Sequence, residues 1–446
     1  MVQTVQLYKK AKMNVKVVAK KIIPQWIFTI YHWLLAELAA LLYRYPSKKM
    51  TVIGVTGTNG KSTTVNLLGR CLTEAGFRVG WATTINFKIG SREWLNTAKM
   101  TMLGRFQLQK ILRQMADANC RFAIIETSSE GIKQYRHLGI DYDVLVFTNL
   151  TPEHIEAHGS FANYKTAKLK LFRHLEKTKK KYKKIIANLD DKHAADFLNF
   201  HVSDKIGFSL TGKESKLVDN TYQAINIASD ANGSHWQIDD RQFHISLVGR
   251  FHIYNATTAA VAAKALGIDF KTSANALKKI TSIPGRMEFI NTGQNFLALI
   301  DYAPEPEALK NLYQAIDKIQ YKKLIHVLGS CGGGRDRARR PILGQMAATK
   351  ADIIIITNED PYDDDPNEII KEVADGADNV ARLSGKKVYQ IEDRREAIAK
   401  AVSLAKPNDL VLITGKGAEQ AICVAGGKKI PWDDRNVLRE EIEKLS

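Results

Sequence analysis

Residues 51–64 read Thr-Val-Ile-Gly-Val-Thr-Gly-Thr-Asn-Gly-Lys-Ser-Thr-Thr, an apolar β-branched run that breaks into glycines and then into helix-forming residues. Strand, glycine-rich turn and helix in immediate succession aim the turn's backbone N–H groups and the positive end of the helix at one point. Such a cradle suits the phosphates of a nucleoside triphosphate, with Lys61 reaching the outer phosphates and the Ser62 hydroxyl placed for Mg²⁺. Gly57, Thr58, Asn59, Gly60, Lys61, Ser62 and Thr63 are therefore the predicted nucleotide-binding residues. The generic pattern has a glycine five positions before Gly60, where this chain has Val55, with Gly54 one place earlier.

At 446 residues the chain has room for two or three domains. Its cysteines, Cys71, Cys120, Cys331 and Cys423, are far apart and form no Cys-x-x-Cys pair, which argues against structural zinc and disulfides and for a reducing, cytoplasmic setting. The net charge of +18 invites a nucleic-acid reading, but its location argues against one. Residues 1–50 hold nine Lys/Arg against Glu37 alone, and residues 165–184 hold ten against Glu176 alone, so the body is near neutral. A nucleic-acid enzyme spreads its basic face around the site. The run Lys177 to Lys184 reads as a solvated turn.

Residues 1–48 stand apart from the rest. A lead containing Lys9, Lys10, Lys12, Lys16, Lys20 and Lys21 runs into a strongly apolar helical stretch from Ile22 to Tyr43. No small-residue cleavage site follows, so a signal peptide fits poorly, and His32 and Glu37 make a spanning helix marginal. Trp26, Tyr31, Trp33 and Tyr43 beside the basic lead suit peripheral contact with an anionic membrane, at its inner face; packing on the body or on a second subunit is the equal alternative.

From Met50 onward strands and helices alternate, which predicts an α/β fold: a P-loop domain with a mostly parallel sheet and helices on both faces. Ligands gather at the C-terminal strand ends of such sheets. Three polar clusters fall there: Thr56 to Ser62, Glu126-Thr-Ser-Ser, and Thr148 to His154. Glu126 reads as a metal ligand or a helix cap. Short alternating strands around 209–248 predict a small antiparallel lobe inserted in or appended to the first sheet, and beyond Ile283-Pro-Gly-Arg286 a second, Rossmann-like α/β pattern starts. The expected division is 1–48, 49–283 and 284–446.

Collected in order, these motifs resemble those of the Mur ligases, the ATP-dependent amide-forming enzymes of cell-wall precursor synthesis, and most closely the members that add the third residue of the stem peptide. The resemblance rests on Thr56-Gly-Thr-Asn-Gly-Lys-Ser-Thr, Glu126-Thr-Ser-Ser, Phe147-Thr-Asn-Leu-Thr-Pro-Glu-His, His158-Gly, Tyr164-Lys-Thr-Ala-Lys-Leu-Lys-Leu-Phe172, Pro284-Gly-Arg-Met-Glu, Asp301-Tyr-Ala, Cys331-Gly-Gly-Gly-Arg-Asp336, Arg340-Pro341 and Gly415-Lys-Gly. It implies an acyl-phosphate route in which ATP activates a carboxylate and an amino acid attacks it. It also implies catalytic roles for Lys61, Glu126, His154 and Lys168, and metal contacts from Ser62, Glu126, His154 and a carbamylated Lys168. Asn255 and Asp301 would meet adenosine, and Arg286 phosphate. Arg335, Asp336, Asp360, Tyr362, Lys416 and Glu419 would face the substrates, although Arg335 and Asp336 read equally as a structural ion pair.

Departures from the family pattern cluster where substrates bind. The family's separate N-terminal domain for the UDP end of the substrate corresponds here to the basic, apolar segment. Its Asp-Asn-Pro-Arg is Glu359-Asp-Pro-Tyr362, Ala418 stands for a His, and Pro304 for another. Without that Arg, the amino-acid pocket is expected to favour a cationic or neutral side chain over one ending in a carboxylate. The rival readings are a folylpolyglutamate-synthase-like ligase and a non-catalytic nucleotide-binding membrane partner; nothing marks a pterin site, and a mere binding module has no use for the metal set.

Overall fold

The structure, a computed structural model, describes residues 25–153 and 155–445. Two sheets organise it. The first has eleven strands: β1 (Thr51–Thr56), β2 (Val79–Ala82), β3 (Asn86–Ile89), β4 (Arg92–Leu95), β5 (Phe122–Glu126), β6 (Val144–Phe147), β7 (Lys184–Asn188), β8 (Asp204–Ser209), β9 (Asn220–Asp230), β10 (Gly233–Ile238) and β11 (Arg241–Ile245), in the order 11-10-9-8-7-6-1-5-2-3-4. Every pairing from β2 across to β9 is parallel. Antiparallel strands β3 and β4 extend one end, β10 and β11 the other. The antiparallel lobe expected around 209–248 is thus appended to the first sheet, joined to it through β8 and β9.

Alternation along β1 explains the layers. Ile53 and Val55 point into a core shared with Val65, Leu68 and Cys71 of helix α2 (Lys61–Glu74), while Val52 joins Leu112 and Met115 of helix α3 (Arg105–Asp117) on the other face. Helix α1 (Gln25–Leu42) lies outside α3. Gly54 is required by packing, since a Cβ there would stand 2.6 Å from Leu145 and 2.8 Å from Tyr142. It belongs to the strand, and the phosphate loop proper begins with Gly57.

The second sheet has six strands, β12 (Glu288–Phe289), β13 (Leu297–Ile300), β14 (Leu324–Leu328), β15 (Ile353–Ile356), β16 (Lys387–Gln390) and β17 (Leu410–Ile413), ordered 12-13-17-14-15-16 and parallel apart from β12. Strands β13, β14, β15 and β17 are buried on both faces, hence their runs rich in Ile, Leu and Val.

The lysine run after residue 177 is less solvated than its composition suggests. Lys180 turns inward, donating to the carbonyls of Ser47 and Met50 and pairing with Asp143 at 2.9 Å, so it fastens the entry of β1. All four cysteines are free.

Helix α1 covers the described part of the predicted apolar stretch. Its inner face is small: Ala36, Ala39 and Ala40 are fully buried, and a Cβ on Gly139 would come within 2.8 Å of the Ala36 carbonyl. Thr29 shares a 2.9 Å hydrogen bond with the Tyr135 hydroxyl, and Arg105 donates to His32 Nδ1 at 2.6 Å. The outer face is wholly apolar or aromatic, Ile27, Ile30, Tyr31 and Trp33 in its first half and Leu34, Leu38, Leu41 and Leu42 in its second, each 40–63% exposed. Among the described residues no helix is long and apolar enough to cross a membrane. Residues 1–24 lie outside the described residues.

Candidate active site

The chain runs outward from β1 to β2, returns through β5 between them, and crosses to the far side of β1 at β6, so a crevice opens at the C-terminal ends of β1, β5 and β6. The glycine-rich loop fills it. Gly60 has φ +80° and precedes α2; a Cβ there would lie 2.1 Å from Asn255 Oδ1, so only glycine lets helix α5 (Arg250–Ala265) approach. The loop is pinned from below: Thr58 N donates to the Asn149 carbonyl at 2.9 Å, Asn59 N to Asn149 Oδ1 at 2.8 Å, and Thr148 Oγ1 to the Asn59 carbonyl at 2.8 Å. Lys61 Nζ donates to the Thr58 carbonyl at 2.6 Å.

Beside this loop Ser62 Oγ donates to Glu126 Oε2 at 2.7 Å. The same carboxylate, buried at the end of β5, accepts from Thr84 N at 2.8 Å and Thr84 Oγ1 at 3.1 Å. Of the two sequence readings for Glu126, the cap fails, because the following helix is capped by Ser128, which accepts from Gly131 N. A hydroxyl and a carboxylate at a phosphate loop fit Mg²⁺, which takes few protein oxygens and completes its shell with water and substrate phosphates. In keeping with so sparse a set, no cluster of three or more acidic, histidine or cysteine ligands occurs among the described residues. His154 lies outside the described residues.

Lys168 sits on helix α4 (Phe161–Lys177), one turn beyond Tyr164, whose ring lies 4.7 Å from its Nζ. That amine is fully buried and donates to the Gly57 carbonyl at 2.7 Å. Burial, with Lys61 adding repulsion, holds its pKa well below the ordinary lysine value. Tyr164 in turn shares a 3.0 Å hydrogen bond with Thr58 Oγ1.

The loop forms the floor of a cleft of about 540 Å³ whose opposite wall comes from the second sheet. Gly57 to Thr63, Glu126, Lys168 and Asn255 line it, together with Arg286, Asp301, Arg335, Asp360, Tyr362 and Glu419. Asp301 accepts from Met287 N and Ala303 N, and burial raises its pKa; the Arg286 guanidinium lies 4.4 Å from the Tyr302 ring. Two predicted residues do not line the cleft. Asp336 accepts from the backbone N–H groups of Ile155 and Glu156, capping a short helix across the domain boundary, and Lys416 is fully buried behind Asp360 and Glu419, 2.8 and 3.0 Å away. A larger hollow of about 1060 Å³, lined by Asn358, Asp393, Arg394 and Trp432, contains none of the predicted residues.

Two residues in the cleft region escaped the sequence reading. Lys99, from the first domain, pairs with Asp360 and, at 2.9 Å, with Glu419. Burial alone would raise the Asp360 carboxyl, but Lys416 and Lys99 together bring it below its ordinary value. Asp360 and Glu419 are thus matched by two lysines and have less charge to offer a cationic amino acid, while the expectation of a cationic or neutral side chain, drawn from the missing Arg, does not depend on them. Glu305 caps helix α6 (Pro306–Ile316) and accepts from Asn59 Nδ2 of the phosphate loop at 2.8 Å.

Comparison with known proteins follows this geometry. Residues 55–263 match the Mur ligase middle domain, and residues 285–417 the Mur ligase, glutamate ligase domain. A UDP-N-acetylmuramyl-tripeptide synthetase of Roseiflexus is 35% identical over 425 residues, 92% of this chain and 82% of that one. The chain belongs to the Mur ligase family. As a Mur ligase it is an ATP- and Mg²⁺-dependent enzyme that forms an amide bond. A UDP-N-acetylmuramoyl-L-alanyl-D-glutamate–2,6-diaminopimelate ligase of Syntrophomonas wolfei is likewise 35% identical, over 91% of this chain and 81% of its own. A solved ligase of that name superposes with a TM-score of 0.58 at 30% identity, covering 89% of this chain and 79% of that one. A Mycobacterium tuberculosis folylpolyglutamate synthase complexed with ADP reaches 0.68 at 16% identity over 91% and 96% of the two chains, a likeness of fold alone. Coverage of 92% of this Mur ligase exceeds what residues 49–446 supply, so the likeness reaches into the first segment.

Proposed function

We propose that this Mur ligase joins an amino acid to a carboxylate of a peptidoglycan-type precursor through an acyl phosphate. The observation that carries the reading is the convergence of Lys61, Ser62, Glu126 and the buried Lys168 on one loop at the floor of a two-domain cleft. We divide the chain into a locating segment, 1–48, a nucleotide domain, 49–283, and a C-terminal domain, 284–446.

In this reading Lys61 offsets charge on the phosphoryl group as it transfers, and the fixed N–H groups of Gly57 to Thr63 hold the phosphates without reorganising. Ser62 and Glu126 would hold one Mg²⁺ and His154 would help hold a second, and such ions would supply positive charge against the phosphate oxygens. Asn255 and Asp301 meet the adenosine, and Arg286 and Arg335 orient the acceptor's activated end. Asp360, Tyr362 and Glu419 form the amino-acid end, with Lys416 and Lys99 setting its charge and Asp336 holding the wall.

Lys168 supplies the remaining anion. An unprotonated Nζ attacks CO₂, a C–N bond forms, and one proton leaves to water, giving a carbamate. Burial that suppresses ammonium favours this step. A Lys168→Ala variant should be inactive and partly restored by added formate or acetate; full activity without carboxylate would remove the carbamate from the reading.

The test of the whole is phosphate release from ATP with UDP-N-acetylmuramoyl-L-alanyl-D-glutamate as acceptor and lysine or diaminopimelate as amine. Release should require acceptor and amine together. Release with neither, or none with UDP-linked and lipid-linked acceptors over all amino acids, overturns it. Residues 1–48 we read as locating the enzyme at the inner face of a membrane rather than catalysing.

A further inference from the structure

We propose that helix α1 rests with its outer face on the surface of an anionic lipid bilayer, an inference that rests on, and sharpens, the locating role given to residues 1–48. From residue 27 to 42 the exposed positions of α1 are all aliphatic or aromatic, and Glu37 is half-buried. Residues 27, 30, 31, 34, 38, 41 and 42 follow the spacing of a single helical stripe. The inner face is already committed to the body by its alanines, by Thr29 and by His32, so the helix is held in place with this stripe outward. An apolar stripe on a firmly seated helix marks an interaction surface.

Charge selects the occupant. Arg44, Lys48 and Lys49 are exposed just past the helix, and six lysines precede it in the sequence, against Glu37 alone. A second copy laid on this face would bring like charges together, whereas an anionic leaflet attracts each of them. Tyr31 and Trp33, amphipathic and outward, suit the level of lipid headgroups. The seat of α1 also orients the enzyme. Tyr135 precedes Arg136, whose guanidinium donates to the Met102 carbonyl, and Arg136 and Met102 line the cleft, so that wall stands on the membrane side.

The experiment uses the full-length chain and the double variant Leu34→Ser/Leu38→Ser, both changes on the outer face. Each is sedimented with vesicles of phosphatidylglycerol and phosphatidylcholine, and with phosphatidylcholine alone, at low and high salt. Binding of a fluorescent ATP analogue confirms that both proteins are folded. The intact chain should pellet with anionic vesicles at low salt and be released at high salt, and the variant should bind about tenfold more weakly or worse. Three results overturn the proposal: no sedimentation of the intact chain, equal binding to neutral vesicles, or an intact dimer that the double variant dissolves, which would make a second copy the occupant. Because vesicle binding is read without turnover, its failure leaves the ligase reading standing, and failure of phosphate release leaves this one.

Discussion

Lys61 lies over the loop it serves, its ammonium on the Thr58 carbonyl, so little rearrangement separates it from the outer phosphates. Lys61→Ala should lower steady-state phosphate release by about 10² or more, the usual loss when a pre-placed charge is taken from a transition state. Unchanged turnover would move the nucleotide site elsewhere. Residues such as Lys61, Ser62 and Glu126 were legible in sequence because a strand end fixes where they must stand, and the strands announce themselves. Lys99 and Glu305 were not. Each acquires its role from a residue hundreds of positions away, Asp360 and Asn59 respectively, and a lysine in a loop or a glutamate before Pro306 has no local pattern that foretells it. Asp336 was legible only as facing substrate or pairing with Arg335, because the partners it has, the backbone of Ile155 and Glu156, leave no trace in composition.

Strand β14 carries a buried histidine that makes its sheet sensitive to acid. His326 Nδ1 and Nε2 are both hydrogen-bonded, to the Tyr313 hydroxyl at 2.9 Å and Thr414 Oγ1 at 3.0 Å, and burial pulls its pKa down from 6.5 to about 3. Above pH 6.5 folded and unfolded forms are both neutral and the site imposes no penalty. Between 6.5 and about 3 the unfolded chain takes up a proton that the folded one refuses, so stability falls as pH falls. The slope approaches about 1.4 kcal/mol per pH unit for one such group. Urea unfolding at pH 7, 5.5 and 4.5 should show this loss, and His326→Gln should make it shallower; a variant with the same slope would assign the acid sensitivity elsewhere. His252, buried and also lowered to about 3, keeps the slope from vanishing. At this scale the sequence served well, since strands buried on both faces betray themselves as apolar runs. That the 209–248 lobe belongs with the first sheet was legible too; that it joins through a parallel β8–β9 pair was not, because parallel pairing has no tight turn to signal it.

The two domains meet through polar ties distributed along the cleft: Lys99 to Asp360 and Glu419, Asp336 to the 155–156 backbone, Lys429 to the Ala98 carbonyl, and Asn59 to Glu305. Lys99→Met should leave Asp360 and Glu419 with Lys416 alone. The expected result is kcat/KM for the amino acid reduced about tenfold or more, with nucleotide affinity little changed, because a buried carboxylate short of a cation is costly. Equal loss at both substrates would mean that Lys99 holds the whole fold. The Asn59 to Glu305 bond has a separate consequence, for time rather than affinity. A side chain of the phosphate loop is gripped from the opposite domain, so any opening of the cleft must break that bond and push solvent aside. Where such opening limits turnover, kcat falls in proportion to the friction of the medium. Sucrose enough to double the viscosity should then cut kcat to about half, and Glu305→Thr, too short to reach Asn59, should flatten that response.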